Sequence, residues 1–289
     1  MINKIKNNLK KYQWLAGLID GDGCFLISNK GYAALEITVS WADEALLHQI
    51  KKIFGGSIKV RGSLKALRYR LHNKKGIYQL LHAVNGNIRN SIRQEQFKCI
   101  LNLYNIKYIE PCIFTWSNGY ASGLLDSDGS ISLSVKKHAY VKNPEQRGTL
   151  GKILRLQHAK AVQLNIKITQ KYKENVAFLR TPFLPLSLDR QKGIDTEKQF
   201  GQIFFDKSQN GYYSWTISSK KEVTFFLYYI SKNPSYSKKA HRLRLVHVFY
   251  ELYEQKAYLA QEESYLKHRW NDFANSWFKY GTYRSSAAN

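Results

Sequence analysis

The sequence predicts an α+β fold of two pseudo-symmetric halves, each ordered αββαββα around an antiparallel four-stranded sheet. Three observations predict it. The segment Trp14 to Gly23 returns as Tyr120 to Gly129, and the two share Gly-Leu-aliphatic-Asp-small-Asp-Gly. The strand and helix patterns after each copy follow in the same order. Finally, the apolar spacing of a later helix is the same in both halves.

Each element can be read in turn. Cys24 to Lys30 is a short strand pattern, matched by the alternating Ser130 to Lys136. Leu35 to Ser40 and Val162 to Thr169 alternate apolar and polar, so one face of each is core and the other is free. A helix follows from about Asp43 through Ile53 and stops at Gly55-Gly56. Two short strands come next, Ser57 to Arg61 and Ala66 to His72, with counterparts near Gln202 to Phe205 and Tyr212 to Ile217. Ile77, Leu80, Leu81 and Val84 then stripe one helix, as do Val223, Phe226, Leu227 and Ile230. The domain boundaries expected from this repeat are 1–102 for the first half, 103–117 for a linker containing Pro111, 118–255 for the second half and 256–289 for a helical extension. The second half is longer because of two polar or Pro-bearing loops, about Lys137 to Lys160 and Thr181 to Gly201. In the extension, Leu266, Trp270, Phe273 and Trp277 stripe a face suited to docking on the body.

The bulk numbers narrow the function. With 289 residues, 44% of them hydrophobic, the chain can bury a real core. A formal charge of +24, spread along the whole length, calls for a polyanionic partner. No apolar run approaches the roughly 20 residues of a spanning helix, so a membrane partner is not expected. Three cysteines without a CxxC argue against a disulfide framework or structural zinc, and fit a reducing compartment. Met1 to Lys11 is basic and lacks the apolar region of a secretory signal, which points to an intracellular protein. The Lys-, Asn- and Tyr-rich composition is compatible with an A+T-rich mitochondrial or chloroplast genome.

The repeated motif carries the chemistry. Gly23 and Gly129 fit the position after a helix where a left-handed residue ends it. Asp22 and Asp128 then lie at helix C-termini, where the macrodipole disfavours a carboxylate. Making that choice twice suggests that function outranks stability. Small residues on both segments (Ala16, Gly17, Gly21, Ser122, Gly123, Ser127) allow two such helices to approach closely. Two adjacent carboxylates repel unless a cation lies between them, and hard divalent cations prefer oxygen ligands. Asp20 and Asp126, earlier in each motif, are expected to position the helix ends.

These segments resemble the LAGLIDADG homing endonucleases in their single-chain, two-copy form, over about Lys11 to Tyr253. The resemblance implies that Asp22 and Asp128 bind catalytic Mg²⁺, for which Mn²⁺ or Ca²⁺ can substitute, with Gly21 and Ser127 beside them in the metal set. It implies a saddle of two sheets in the major groove of a long double-stranded DNA site, and hydrolysis of both strands by a monomer. Family members place a polar group after the second strand. Gln170 fills that place in the second half, whereas Trp41 stands there in the first. A basic residue near the start of a late helix is matched by Lys238 and Arg93.

Strand parity then names the DNA-facing candidates. In the first half they are Ser28, Lys30, Glu36, Thr38, Ser40, Lys59, Arg61, Arg68, Arg70 and His72. In the second they are Ser132, Ser134, Lys136, Gln163, Asn165, Lys167, Ser214 and Thr216. Such side chains can read base edges. Two other functions fit the same fold: an RNA-binding maturase of a host intron, and a catalytically silent DNA-binding protein.

Overall fold

The computed structural model describes residues 2–62, 65–138, 148–182 and 199–279. Within them the first half runs α1 (Ile2–Asp22), β1 (Gly23–Ile27), β2 (Ala33–Ser40), α2 (Glu44–Phe54), β3 (Ser57–Val60), β4 (Ala66–Leu71), α3 (Lys74–Val84) and α4 (Ser91–Leu103). The second half runs α5 (Tyr120–Asp128), β5 (Gly129–His138), α6 (Gly148–Gln157), β6 (Ala159–Gln170), α7 (Glu174–Ala177), β7 (Gln202–Asp206), β8 (Tyr212–Ile217), α8 (Lys220–Lys232), α9 (Lys239–Glu254) and α10 (Tyr265–Phe278). The sheets have matching strand orders, β1-β2-β4-β3 and β5-β6-β8-β7. The expected α+β repeat is therefore present. None of the helices is long and apolar enough to cross a membrane among the described residues.

Contacts divide the chain into two compact units, Met1–Ser130 with Ile166–Ser237, and Ile131–Asn165 with Lys238–Asn289. In the first unit, Leu35, Ile37 and Val39 of β2 and Leu67, Tyr69 and Leu71 of β4 are buried. The α3 stripe Ile77, Leu80, Leu81 and Val84 is fully buried, as its spacing predicts. On α8 the stripe is rotated: Val223, Phe226 and Tyr229 are buried, while Leu227 and Ile230 are only partly so. The cause is an aromatic cluster in which Trp116 meets Trp215, Phe226 and Tyr229 with ring centroids 5.1–6.1 Å apart. It draws the larger Tyr229 ring inward.

The second unit holds α6, α9 and α10. The long loop expected over 137–160 instead contains α6, for a legible reason. Leu150, Ile153, Leu154 and Leu156 recur at helical spacing, and their polar flanks masked the pattern. Of the α10 stripe, Trp270, Phe273 and Trp277 are buried and Leu266 only partly so, and the Trp270 indole donates to the Leu156 carbonyl at 2.9 Å. Lys267 is buried as well, donating to the Gln157 carbonyl at 3.1 Å and pairing with Glu262 at 3.1 Å. Most of the other expected loop, at 183–198, lies outside the described residues.

Candidate active site and nucleic-acid interface

The site begins with how α1 and α5 pack. A Cβ on Gly17 would collide with the Tyr120 carbonyl, and one on Gly123 with the Trp14 carbonyl. The two backbones touch, which only glycine permits at those positions. At the helix ends, a Cβ on Gly21 would strike the Ser127 side chain and lie 2.6 Å from Oδ2 of Asp128. The Asp128 carboxylate thus rests against the residue before Asp22, so the two acid-bearing tips abut. Both acids are partly exposed. Ser127 turns its hydroxyl back to the Leu124 carbonyl at 3.1 Å.

Gly23 and Gly129 do not end their helices in the left-handed region. Gly129 has φ −80° and ψ 155°, and Gly23 is absent from the positive-φ glycines. Each is the first residue of a strand that leaves the helix sharply. A Cβ there would meet the Ile19 backbone in one case and the Leu125 carbonyl in the other. Steric room, rather than dihedral freedom, requires these glycines.

The inner acids hold the scaffold. Asp20 Oδ2 accepts the backbone N–H groups of Arg89 at 2.6 Å and Asn90 at 3.0 Å, and the Tyr120 hydroxyl at 2.5 Å. Among the described residues, its Oδ1 is buried without a hydrogen-bond partner. Burial pushes its pKa up from 3.8 to about 6, although the Tyr120 hydroxyl, the two N–H groups and the Arg93 charge pull the other way. Asp126 plays the matching part in the second half. Its Oδ2 accepts the Trp14 indole at 2.9 Å and the Tyr236 N–H at 2.8 Å, and its Oδ1 accepts the hydroxyls of Ser235 and Ser237.

Gln170 lies beside the second tip. Its amide donates to Asp128 Oδ2 at 2.6 Å and accepts from Asn90 Nδ2 at 3.1 Å. Asn90 also caps α4, accepting from the N–H groups of Ile92 and Arg93. Strand register revises the comparison with Trp41. Gln170 pairs with Tyr213 and Ile166 with Ile217, while Val39 pairs with Leu67 and Leu35 with Leu71. The first-half equivalent of Gln170 is therefore buried Val39, and Trp41 lies two residues further on, 45% exposed. Arg93 donates to Gln96 at 3.2 Å and lies close enough to Asp20 to lower its pKa. Lys238 directly precedes α9. Sequence reasoning missed Asn90. An Asn before a helical pattern signals a cap, but no local pattern reveals a partner 80 residues away.

The open sheet faces follow parity with particular exceptions. Glu36, Thr38 and Ser40 alternate with the core residues of β2, and Glu36 and Thr38 face Arg70 and Arg68. Glu36 is already paired with both arginines, at 3.3 Å to Arg68. Lys59 sits opposite Arg68 on β3. Ser28 and Lys30 lie in the turn after β1, where the Ser28 hydroxyl accepts the Tyr32 N–H at 3.1 Å. Arg61 and His72 lie one residue beyond β3 and β4. Ser132, Ser134 and Lys136 are exposed, and Gln163, Asn165, Lys167 and Thr216 partly so. Ser214 does not fit the expectation. It is 1% exposed, between Thr169 and Phe204 in the sheet, where a small hydroxyl is covered by larger neighbours. Gln202 and Phe204 share that face and are exposed, and their alternation in β7 was the available signal.

Residues 15–104 match the family model described as LAGLIDADG endonuclease. The chain is 38% identical over 278 residues to a probable intron-encoded endonuclease aI2 of Debaryomyces hansenii, covering 96% of this chain and 38% of that protein. It is likewise 38% identical over 271 residues to the intron-encoded RNA maturase bI4 of Saccharomyces cerevisiae, covering 94% of this chain and 37% of the relative. The chain thus spans under two fifths of the length of these curated relatives. Among solved structures, the LAGLIDADG meganuclease I-AabMI bound to uncleaved DNA is similar with TM-score 0.59 and 18% identity, over 90% of this chain and 98% of that one. The homing endonuclease I-GzeII in complex with its DNA target gives TM-score 0.60 and 14% identity, over 96% and 99%.

Proposed function

This chain belongs to the LAGLIDADG family, and from that premise we propose that it is a site-specific endonuclease hydrolysing both strands of a long duplex DNA site. The observation that carries the reading is the abutment of the Asp22 and Asp128 helix tips. The donor set there fits a hard divalent cation. Both side chains offer carboxylate oxygens, and Gln170 is neutral, so its bond orients Asp128 without cancelling its charge. Asp22 and Asp128 would hold Mg²⁺, with the backbone at Gly21 and Ser127 beside it. When bound, such a cation lowers the pKa of water and stabilises the leaving oxygen of a phosphodiester. The chain's own residues hold that arrangement still. Gln170 and Asn90 orient Asp128, and Asp20 and Asp126 lock the helix ends to the segments after them. Arg93 is assigned to stabilising charge near the reacting phosphate.

The sheet faces are assigned to base and phosphate contact. Exposed Ser132, Ser134 and Lys136 read one half, and Lys59, Arg68 and Arg70 the other, where Arg68 and Arg70 would have to share Glu36 with a base edge. One chain supplies both halves, bounded as 1–102 and 118–255, so a monomer suffices. We place it in an organelle that carries introns, on its composition and its relatives' names.

A second reading, an RNA-binding maturase, is favoured by the likeness to bI4 over nearly the whole chain. A plasmid library carrying randomised sites, incubated with protein and Mg²⁺, separates the readings. Linearised product supports the endonuclease. Absence of any cut site, with tight binding to intron RNA, supports the maturase.

A further inference from the structure

We propose that α6 and β5 form a phosphate-contacting groove that adds DNA-backbone contacts in the second half, an inference that rests on the DNA-binding reading above. The groove has a volume of about 480 Å³ and is lined by Ser132, Ser134, Lys152, Arg155, Arg242 and Trp277 among others. Among the described residues, three of its lining side chains are cations and none is a carboxylate. Two acids of this unit are paired with other cations, Glu262 with Lys267 and Glu251 with Arg269.

The groove is built rather than incidental. Buried Leu156 and the bonds from Lys267 and Trp270 to the α6 carbonyls fix one side of that helix. Lys152 and Arg155, three residues apart on one helix face, are left exposed. Strand β5 is the edge of its sheet. Its carbonyls are met by guanidiniums, Ile131 by Arg242 at 2.8 Å and Val135 by Arg155 at 3.2 Å. Covering an edge in this way blocks strand addition. A guanidinium carries five N–H donors, more than these bonds use. The hydroxyl-bearing face of β5, with Ser132 and Ser134, opens into the same groove. Clustered cations without a carboxylate repel one another, and a phosphodiester strand running beside the sheet relieves that repulsion.

The test uses the full chain, a linear DNA duplex and an RNA hairpin as probes, and binding measured across a salt series. Lys152→Gln with Arg155→Gln removes two charges but keeps a donor for the Val135 carbonyl, and unchanged thermal unfolding confirms an intact fold. The double variant Lys51→Ala with Lys52→Ala, on exposed positions of α2, is the control for net charge. The proposal predicts that the slope of log K against log salt on DNA falls by about two for the groove variant, at roughly 0.9 per phosphate lost, and stays near wild type for the control. An unchanged slope, or an equal fall in the control, overturns it. So does a loss confined to the RNA hairpin, which would make the groove an RNA surface. A wild-type protein with a flat salt response on DNA would instead sink the DNA-binding reading itself.

Discussion

The Gln170 side-chain amide joins Asp128, at 2.6 Å, to Asn90, at 3.1 Å, so a residue of the first half orients the motif acid of the second. In the first half the sheet position equivalent to Gln170 is held by apolar Val39. The two acids therefore work in unlike surroundings. Gln170→Leu should slow cleavage of one strand by about 10–100-fold, the usual cost of losing a group that orients a metal ligand, and leave the other nearly unchanged. Nicked plasmid would accumulate. Asn90→Ser keeps a competent helix cap and should produce the same imbalance more weakly. Equal slowing of both strands would contradict the assignment.

Asp20 and Asp126 look alike in sequence and should respond oppositely to substitution. Asp20 has one oxygen without a partner among the described residues, so Asn can place its amide there and keep the accepting oxygen. In Asp126 both oxygens accept, so an amide must face a donor. Asp126→Asn should cost about 2 kcal/mol or more, while Asp20→Asn should cost little or stabilise near neutral pH. Urea unfolding of both variants measures this, and equal losses would refute it.

Asp20 also sets a pH dependence. Its folded pKa, about 6, lies above the ordinary 3.8, so between those values the folded protein holds a proton that the unfolded chain releases. Stability from this group is full below about pH 4 and is lost as pH rises through about 6, by on the order of 3 kcal/mol. The difference in unfolding free energy between wild type and Asp20→Asn should therefore move in favour of the variant as pH rises over that window. A constant difference would show that Asp20 titrates normally.

The helix interface offers a stability test without chemistry. Alanine normally stabilises a helix by about 1 kcal/mol over glycine. At Gly17 or Gly123 the added methyl meets a carbonyl of the opposite helix. Gly17→Ala and Gly123→Ala should each destabilise by about 3 kcal/mol or more, read as a lowered Tm. A raised Tm would mean the helices can separate at no cost.

Much of this architecture was legible because it is periodic. The repeated Gly-Leu-aliphatic-Asp-small-Asp-Gly, the alternation of β2 and the stripe of α3 each follow from spacing that burial enforces. What escaped was non-local. The Asn90–Gln170 bond joins residues 80 positions apart, and the burial of Ser214 depends on its strand neighbours. Helix α6 hid because its apolar residues lie between polar flanks. The motif glycines were recognised, but their reason was mistaken, since collision with the last helical turn shows only in three dimensions.

On the proposed function, Asp22 and Asp128 together form one cleavage centre. Once a target has been selected from randomised sites, cleavage and binding by Asp22→Asn and Asp128→Asn test it most directly. Each variant should bind the duplex as wild type does and yield no double-strand product with Mg²⁺. Cutting at the wild-type rate by either variant would contradict the account.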